Sequence, residues 1–206
     1  MGRRASPSRP RLVLATLNPA KARELASLLG DIPFEVVGLS TTPGAALPPE
    51  GDDSYQANAL AKARAAARLS GAVALADDSG LEVEALDERP GVRSARYGGA
   101  GLSDADRCAA LLGELSGVPP ERRAARFRCV VALVSPDGRE EVVEGAVEGR
   151  IIDAPQGTGG FGYDPIFCYP PLGRTFAELD PALKNQVSHR GKALALAREV
   201  LKRWAS

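Results

Sequence analysis

The chain has 206 residues, enough for one substantial hydrophobic core and at most two small domains. With 44% hydrophobic and 25% charged residues it reads as a globular protein and not as a disordered tail. Its 26 basic and 26 acidic side chains cancel, which removes the general electrostatic reason to expect nucleic acid or an anionic membrane as partner. No apolar run approaches the roughly 18 residues of a membrane span. Cys108, Cys129 and Cys168 are widely spaced and form no C-x-x-C pair, so neither a disulfide framework nor a zinc site is expected, and a reducing cytoplasm fits best.

Met1 to Pro10 is basic and carries Ser and Pro, with no apolar segment after it. It reads as a disordered extension ahead of one domain over 11–206, and not as a signal peptide. Leu12 to Ala15 is a short apolar run, followed by Thr16-Leu17-Asn18-Pro19-Ala20-Lys21 and a helical pattern that ends at Gly30. Asn18 suits an N-cap, Pro19 the first helical position and Gly30 the position just past the C-terminus. The free amides of that first turn make an anion site that Lys21 could serve, although a surface lysine explains it equally well.

Phe34 to Gly38 suggests a second strand, and Thr41 to Asp53 a Pro-, Gly- and acid-rich loop, expected to be mobile, that contains Glu50. Tyr55 to Leu69 is an alanine-rich helix with Ser54 as cap. Asn58 and Lys62 share one face of it and, on composition alone, are expected to be solvated.

Ala74-Leu75-Ala76-Asp77-Asp78-Ser79-Gly80-Leu81 is the most informative stretch, an apolar run that ends in two carboxylates, a hydroxyl and a glycine. A strand over Ala72 to Ala76 would deliver Asp77 and Asp78 to its carboxyl end, where open α/β sheets place their ligands. Adjacent carboxylates repel unless a cation neutralises them, and hard oxygen donors suit Mg²⁺. The alternative is an acidic turn that merely closes the strand.

Arg93 and Arg96 follow, able to meet phosphates or carboxylates. Ser103 to Ser116 carries a capping pair, Ser103 and Asp106, and stops at Gly117. Arg126 to Ser135 and Glu140 to Val147 flank Pro136-Asp137-Gly138-Arg139, the clearest hairpin, which implies antiparallel sheet beside the α/β units. In Gln156 to Pro165, four glycines are interleaved with Phe161 and Tyr163, a pattern suited to close approach of backbone and stacking of a base, or to a loop with aromatic anchors in the core. Asp180 caps a short helix to Val187, and Ser188-His189-Arg190 opens the last helix. His189, the only histidine, is placed to be structural or to read hydrogen-bonding edges.

Thr16 to Lys21, Asp77 to Gly80, Phe161 to Asp164 and Ser188 to Arg190, in that order and spacing, resemble the non-canonical purine nucleoside triphosphate pyrophosphatase family, the inosine and xanthosine triphosphate hydrolases. The resemblance covers the chain from Leu12. It implies an α/β fold with a long mixed central sheet flanked by helices and a cleft between two lobes. It implies Mg²⁺-dependent hydrolysis of ITP, dITP or XTP to the monophosphate and pyrophosphate, usually by a homodimer. By position, Thr16, Leu17, Asn18, Pro19, Ala20 and Lys21 would hold the triphosphate and Lys62 would lie near its phosphates. Asp78 would be the catalytic aspartate, with Ser79 touching substrate and Glu50 sharing the metal. Phe161, Gly162, Tyr163, Asp164, Lys184, His189 and Arg190 would bind the base.

Water attacking the α-phosphorus needs neutralised phosphates and a base, so Glu50 and Asp78 are expected to hold Mg²⁺ while Asp78 activates the water and Asp77 orients the pair. Phe161 would stack on the purine, and a donor from Lys184, His189 or Arg190 to the 6-oxo group would reject adenine, whose amino group leaves that donor unpaired. A regulatory module that senses a nucleotide without cleaving it, and a pyrophosphatase for modified pyrimidines, are the rival readings.

Overall fold

The apolar runs and capped helical patterns become eight strands and five α-helices among the residues that the computed structural model describes, 9–42 and 44–205. In chain order these are β1 (Arg11–Leu14), α1 (Pro19–Leu29), β2 (Glu35–Gly38), α2 (Tyr55–Ser70), β3 (Val73–Val83), β4 (Arg89–Pro90), α3 (Asp104–Glu114), β5 (Ala124–Val134), β6 (Glu140–Ile151), β7 (Phe167–Tyr169), β8 (Arg174–Thr175), α4 (Pro181–Val187) and α5 (His189–Ala205). Residues 1–8 of the expected N-terminal extension lie outside the described residues. Pro10, also assigned to it, already accepts a hydrogen bond from Glu35 N (2.9 Å).

The helix ends are local chemistry. Asn18 Oδ1 accepts from Lys21 N (3.2 Å), Ser54 Oγ from Ala57 N (3.1 Å) and Asp180 Oδ1 from Leu183 N (2.9 Å). Ser103 and Asp106 form a reciprocal capping box on α3. Gly30 and Gly71, at φ +55° and +63°, supply the left-handed residue that ends α1 and α2.

The strands form one mixed sheet in the order β2-β1-β3-β5-β6-β7-β8, with β4 beside the far end of β3. β1 pairs with β2 and β3 in parallel, whereas every pair from β3 through β5, β6 and β7 to β8 is antiparallel. Side chains alternate between faces along β3 and β5. On one face, Leu75, Cys129, Val131 and Leu133 pack under α1 and α5. Further along the same face, Leu81, Val83 and Phe127 join α3 and the 163–179 segment in a second apolar mass. The opposite face buries Ala74, Ala76, Val130 and Ala132 under the alanines of α2. The cleft is lined from both faces, by Ser79, Phe127 and Arg190 on the first and by Asp78 on the opposite one.

β3 corrects the expected strand. It does not end at Ala76 in an acidic turn but runs to Val83, with Asp77, Asp78, Ser79 and Gly80 each paired to β5. What ends near Ala76 is its other partner, since β1 stops at Leu14 opposite Leu75. Beyond that point β3 has a free edge until β4 pairs with Glu82 and Val83. The Thr16 to Lys21 loop lies at the end of β1, beside that edge.

Candidate active site

The free edge of β3 is the floor of a cavity of about 480 Å³ lined by Asn18, Lys21, Glu50, Asp78, Ser79, Gly80, Phe127, Phe161, Gly162, Tyr163, Asp164, Lys184, His189 and Arg190, among others. Because strand residues alternate, Asp77 and Asp78 face opposite sides of the sheet. Each carboxylate therefore has its own set of cations.

Asp78 faces α2. Its Oδ1 lies 3.3 Å from Lys62 Nζ and its Oδ2 accepts from Asn58 Nδ2 at 2.9 Å. Lys62 Nζ also meets Glu50 Oε1 at 2.7 Å, so one ammonium joins the two expected metal ligands. Asn58 and Lys62 are buried, against the expectation of solvation, because the face they share is the one α2 turns to β3. Burial raises the Asp78 carboxyl above the ordinary aspartate value, an effect that Lys62 and Asn58 only partly offset. Burial acts on Glu50 in the same sense, but Lys62 overcomes it and holds Glu50 lowered. Lys62 is desolvated too, yet Asp78, Asp77 and Glu50 keep it raised and charged.

Asp77 faces α1 and α5, with its side chain 1% exposed. Lys21 Nζ meets its Oδ1 at 2.9 Å and Arg190 Nε its Oδ2 at 3.2 Å. Burial would raise this carboxyl, but Lys21 and Arg190 hold it well below the usual carboxylate range. Lys21 is thus a half-buried ion-pair partner at the cleft wall, not a free surface lysine. Arg190 also donates to Ser79 Oγ (3.0 Å) and to Glu24 Oε2 (3.1 Å). Both cations sit in the first turn of a helix, where the macrodipole opposes positive charge, and Asp77 offsets that cost.

Thr16 Oγ1 accepts from Asn18 N (3.1 Å), which shapes the loop before α1; Leu17 is exposed, Pro19 takes the first helical position and Ala20 follows it. Pro19 has no N–H, and Asn18 N and Lys21 N already donate to Thr16 Oγ1 and Asn18 Oδ1, so what this helix start brings to the cleft is mainly the Lys21 ammonium rather than a set of free amides.

The other end is aromatic. Phe161 is 43% exposed, with Lys184 Nζ 5.0 Å and Arg190 Cζ 5.4 Å from its ring centre. Asp164 Oδ2 accepts from Phe161 N (2.8 Å) and from Lys184 Nζ (2.5 Å), fixing ring and ammonium together. Burial raises the Asp164 carboxyl despite Lys184. Gly160, at φ +72°, is required there: a Cβ would stand 2.0 Å from Asp164 Oδ2. Gly162 N donates to Asp104 Oδ2 (2.6 Å), which seats the loop on α3. Tyr163 departs from the expected base contact through its hydroxyl, which is buried and donates to Ser94 O (2.9 Å).

His189 stacks on Phe127 with ring centres 4.7 Å apart and planes 12° apart. Burial, reinforced by Arg190 and Lys184, lowers its pKa well below the usual imidazole value, so it is neutral. Its Nδ1 is buried with no hydrogen-bond partner among the described residues.

The model of the Ham1 family matches residues 12–200. The chain belongs to the Ham1 family. It is 50% identical over 191 residues to a dITP/XTP pyrophosphatase of Geobacter sulfurreducens, covering 93% of this chain and 96% of that one. It is 53% identical over 194 residues to the dITP/XTP pyrophosphatase of Symbiobacterium thermophilum, covering 94% and 96%. A solved HAM1 protein from Coxiella burnetii superposes with a TM-score of 0.86 at 40% identity, over 94% of this chain and 99% of that one.

Of the residues expected at the site, Thr16, Leu17, Pro19, Ala20, Lys62 and Asp77 are not among the described residues that line the cavity, while the others do line it, Tyr163 with its hydroxyl turned inward. Sequence reasoning passed over Phe127, Glu24 and Ser94. Phe127 belongs to an apolar strand pattern and Glu24 to an amphipathic helix, so neither carries a signal outside the fold. Arg93 and Arg96 were left between phosphate and carboxylate, and both meet Asp52.

Proposed function

We propose that the protein hydrolyses dITP, ITP and XTP to the monophosphate and pyrophosphate. The observation that carries this reading is a single cleft with a cation-lined helix start and a carboxylate cluster at one end, and an aromatic ring flanked by two cations at the other. That arrangement matches the two chemically different ends of a purine nucleoside triphosphate.

Mg²⁺ suits Glu50 and Asp78. Among the described residues no three His, Cys, Asp or Glu side chains form a metal cage. Two hard carboxylates joined through Lys62 make a half-site, which fits an ion that keeps several waters and takes its remaining ligands from substrate phosphates. When bound there, the ion would neutralise the phosphates and polarise the α-phosphoryl group. Asp78, kept basic by burial, accepts the proton of the attacking water. The water oxygen bonds to the α-phosphorus as the bond to the bridging oxygen breaks, and pyrophosphate leaves. Lys21 and Lys62 meet the charge that collects on the phosphate oxygens.

Phe161 stacks on the purine, and Lys184 or Arg190 donates to the 6-oxo group. His189, being neutral, can present either a donor or an acceptor to the base edge. An adenine amino group would leave those buried donors unpaired, which disfavours ATP. The reading also takes in a homodimer working in the cytoplasm, without nucleic acid or membrane as partner. Free thiols at Cys108, Cys129 and Cys168 support a reducing compartment, and no described helix is long and apolar enough to cross a membrane.

Pyrophosphate release from dITP, XTP, GTP and ATP, with Mg²⁺ and with a chelator, tests this reading. Release from the first two, abolished by chelation, is expected. Tight binding of dITP with no release under any condition would identify a sensor instead.

A further inference from the structure

The structure assigns Arg96 as a positioning residue for Glu50, and hence for the metal; the assignment rests on the function proposed above. Glu50 lies on an irregular segment before α2, with its side chain 32% exposed, so no helix or strand holds it in register. The backbone on either side is gripped instead. From α2, Asn58 accepts from Gly51 N (2.8 Å) and donates to Gly51 O (3.2 Å). From across the cleft mouth, the Arg96 guanidinium donates to Glu50 O (3.3 Å) and Gly51 O (3.1 Å) and pairs with Asp52 Oδ1 (3.2 Å). One planar group thus reads three consecutive residues.

Arg96 ends a 3-10 turn, Gly91–Arg96, that is fastened to the floor of the site. Ser94 Oγ accepts from Leu81 N (2.8 Å) and donates to Gly91 O (2.6 Å), so this turn moves with β3, the strand that carries Asp78. Arg96 therefore ties one expected ligand to the strand bearing the other. Gly80 makes the seating possible, since a Cβ there would lie 2.2 Å from Gly91 O.

The fork matters more than the charge. Lysine keeps the charge but is a single point of donation and cannot reach two carbonyls and a carboxylate in one plane. Arg93 meets only Asp52 Oδ2 (2.6 Å), an exposed ion pair of the kind that contributes little. Arg96 is not among the residues that line the cavity, so its effect must appear as a change in metal affinity and not as a lost substrate contact.

The test compares wild type, Arg96→Lys and Arg93→Lys for the Mg²⁺ concentration giving half-maximal pyrophosphate release, and for Mn²⁺ binding to the free protein read by electron paramagnetic resonance. Arg96→Lys should raise the half-maximal Mg²⁺ concentration and the Mn²⁺ dissociation constant about tenfold, and Arg93→Lys should raise them by less than about twofold. The inosine-to-guanosine preference and the melting temperature should stay at wild-type values. Arg96→Gln, which loses charge and fork together, should shift the metal requirement further in the same direction. Wild-type metal dependence in both Arg96 variants, or lost turnover with that dependence unchanged, would overturn the assignment. Failure of the wild type itself to release pyrophosphate would instead sink the proposed function.

Discussion

Asp77 and Asp78 are neighbours in the chain, yet their carboxylates lie on opposite faces of β3, one bound by Lys21 and Arg190 and the other by Lys62 and Asn58. The repulsion that makes an acidic pair costly is relieved by strand geometry and by separate counter-ions. The two residues therefore respond differently to the same substitution.

Asp78→Asn should lower turnover by about 10²- to 10⁴-fold, the usual contribution of a positioned general base. The fold should tolerate it, because burial already disfavours the charged form of Asp78 and Lys62 keeps Glu50 as partner. Pyrophosphate release and urea unfolding on the same preparation check both halves. Near-normal turnover would remove Asp78 from the mechanism.

Asp77→Asn should act on stability first. It leaves Lys21 and Arg190 facing a neutral amide in a buried site, and breaking such a pair costs about 3–5 kcal/mol. A urea midpoint equal to that of wild type would show that Asp77 does not hold the two helix starts.

Phe161→Ala should raise KM with little change in kcat. Loss of a stacking face costs about 1–3 kcal/mol, or roughly 5- to 150-fold in affinity. Since the ring is substantially exposed, unfolding free energy should stay within about 0.5 kcal/mol of wild type. An unchanged KM for dITP would place the base elsewhere.

His189 gives stability a defined pH dependence. Its folded pKa lies well below 6.5, so on acidification the unfolded chain takes up a proton that the folded chain refuses. Stability is full above that value and falls as pH drops toward the folded pKa, at up to about 1.4 kcal/mol per pH unit. Between pH 7 and pH 5 the wild type should lose more stability than His189→Gln, measured by urea unfolding at each pH, and equal losses would show that His189 is not held neutral by the fold.

What the sequence disclosed follows the range of the interactions. The caps Asn18, Ser54, Ser103 and Asp180 bond within three residues, and they were legible. The β5–β6 hairpin likewise announces itself through its turn. The length of β3 was hidden, since Ser79-Gly80 has turn composition and only the distant β5 supplies the partner that keeps it extended. The burial of Asn58 and Lys62 was hidden in the same way, because an alanine-rich helix does not reveal which face meets the sheet. The candidate site residues were reached through the order of four motifs and the family resemblance that they carry. That route could not reach Phe127, Glu24 or the grip of Arg96 on the Glu50 segment, each of which is a purely tertiary relation.

α5 is the last of these elements to leave the ribosome, and it carries His189 and Arg190 in its first turn. Every strand of the sheet precedes it, so a nascent chain can pair β3 with β5 while Asp77 and Glu24 still lack their guanidinium. Of these elements α5 brings Arg190 last, so the final counter-charge for the buried carboxylates comes after the strands that surround them. A chain cut before α5 would leave the buried Asp77 without Arg190, and that poorly compensated charge would favour unfolding and clearance.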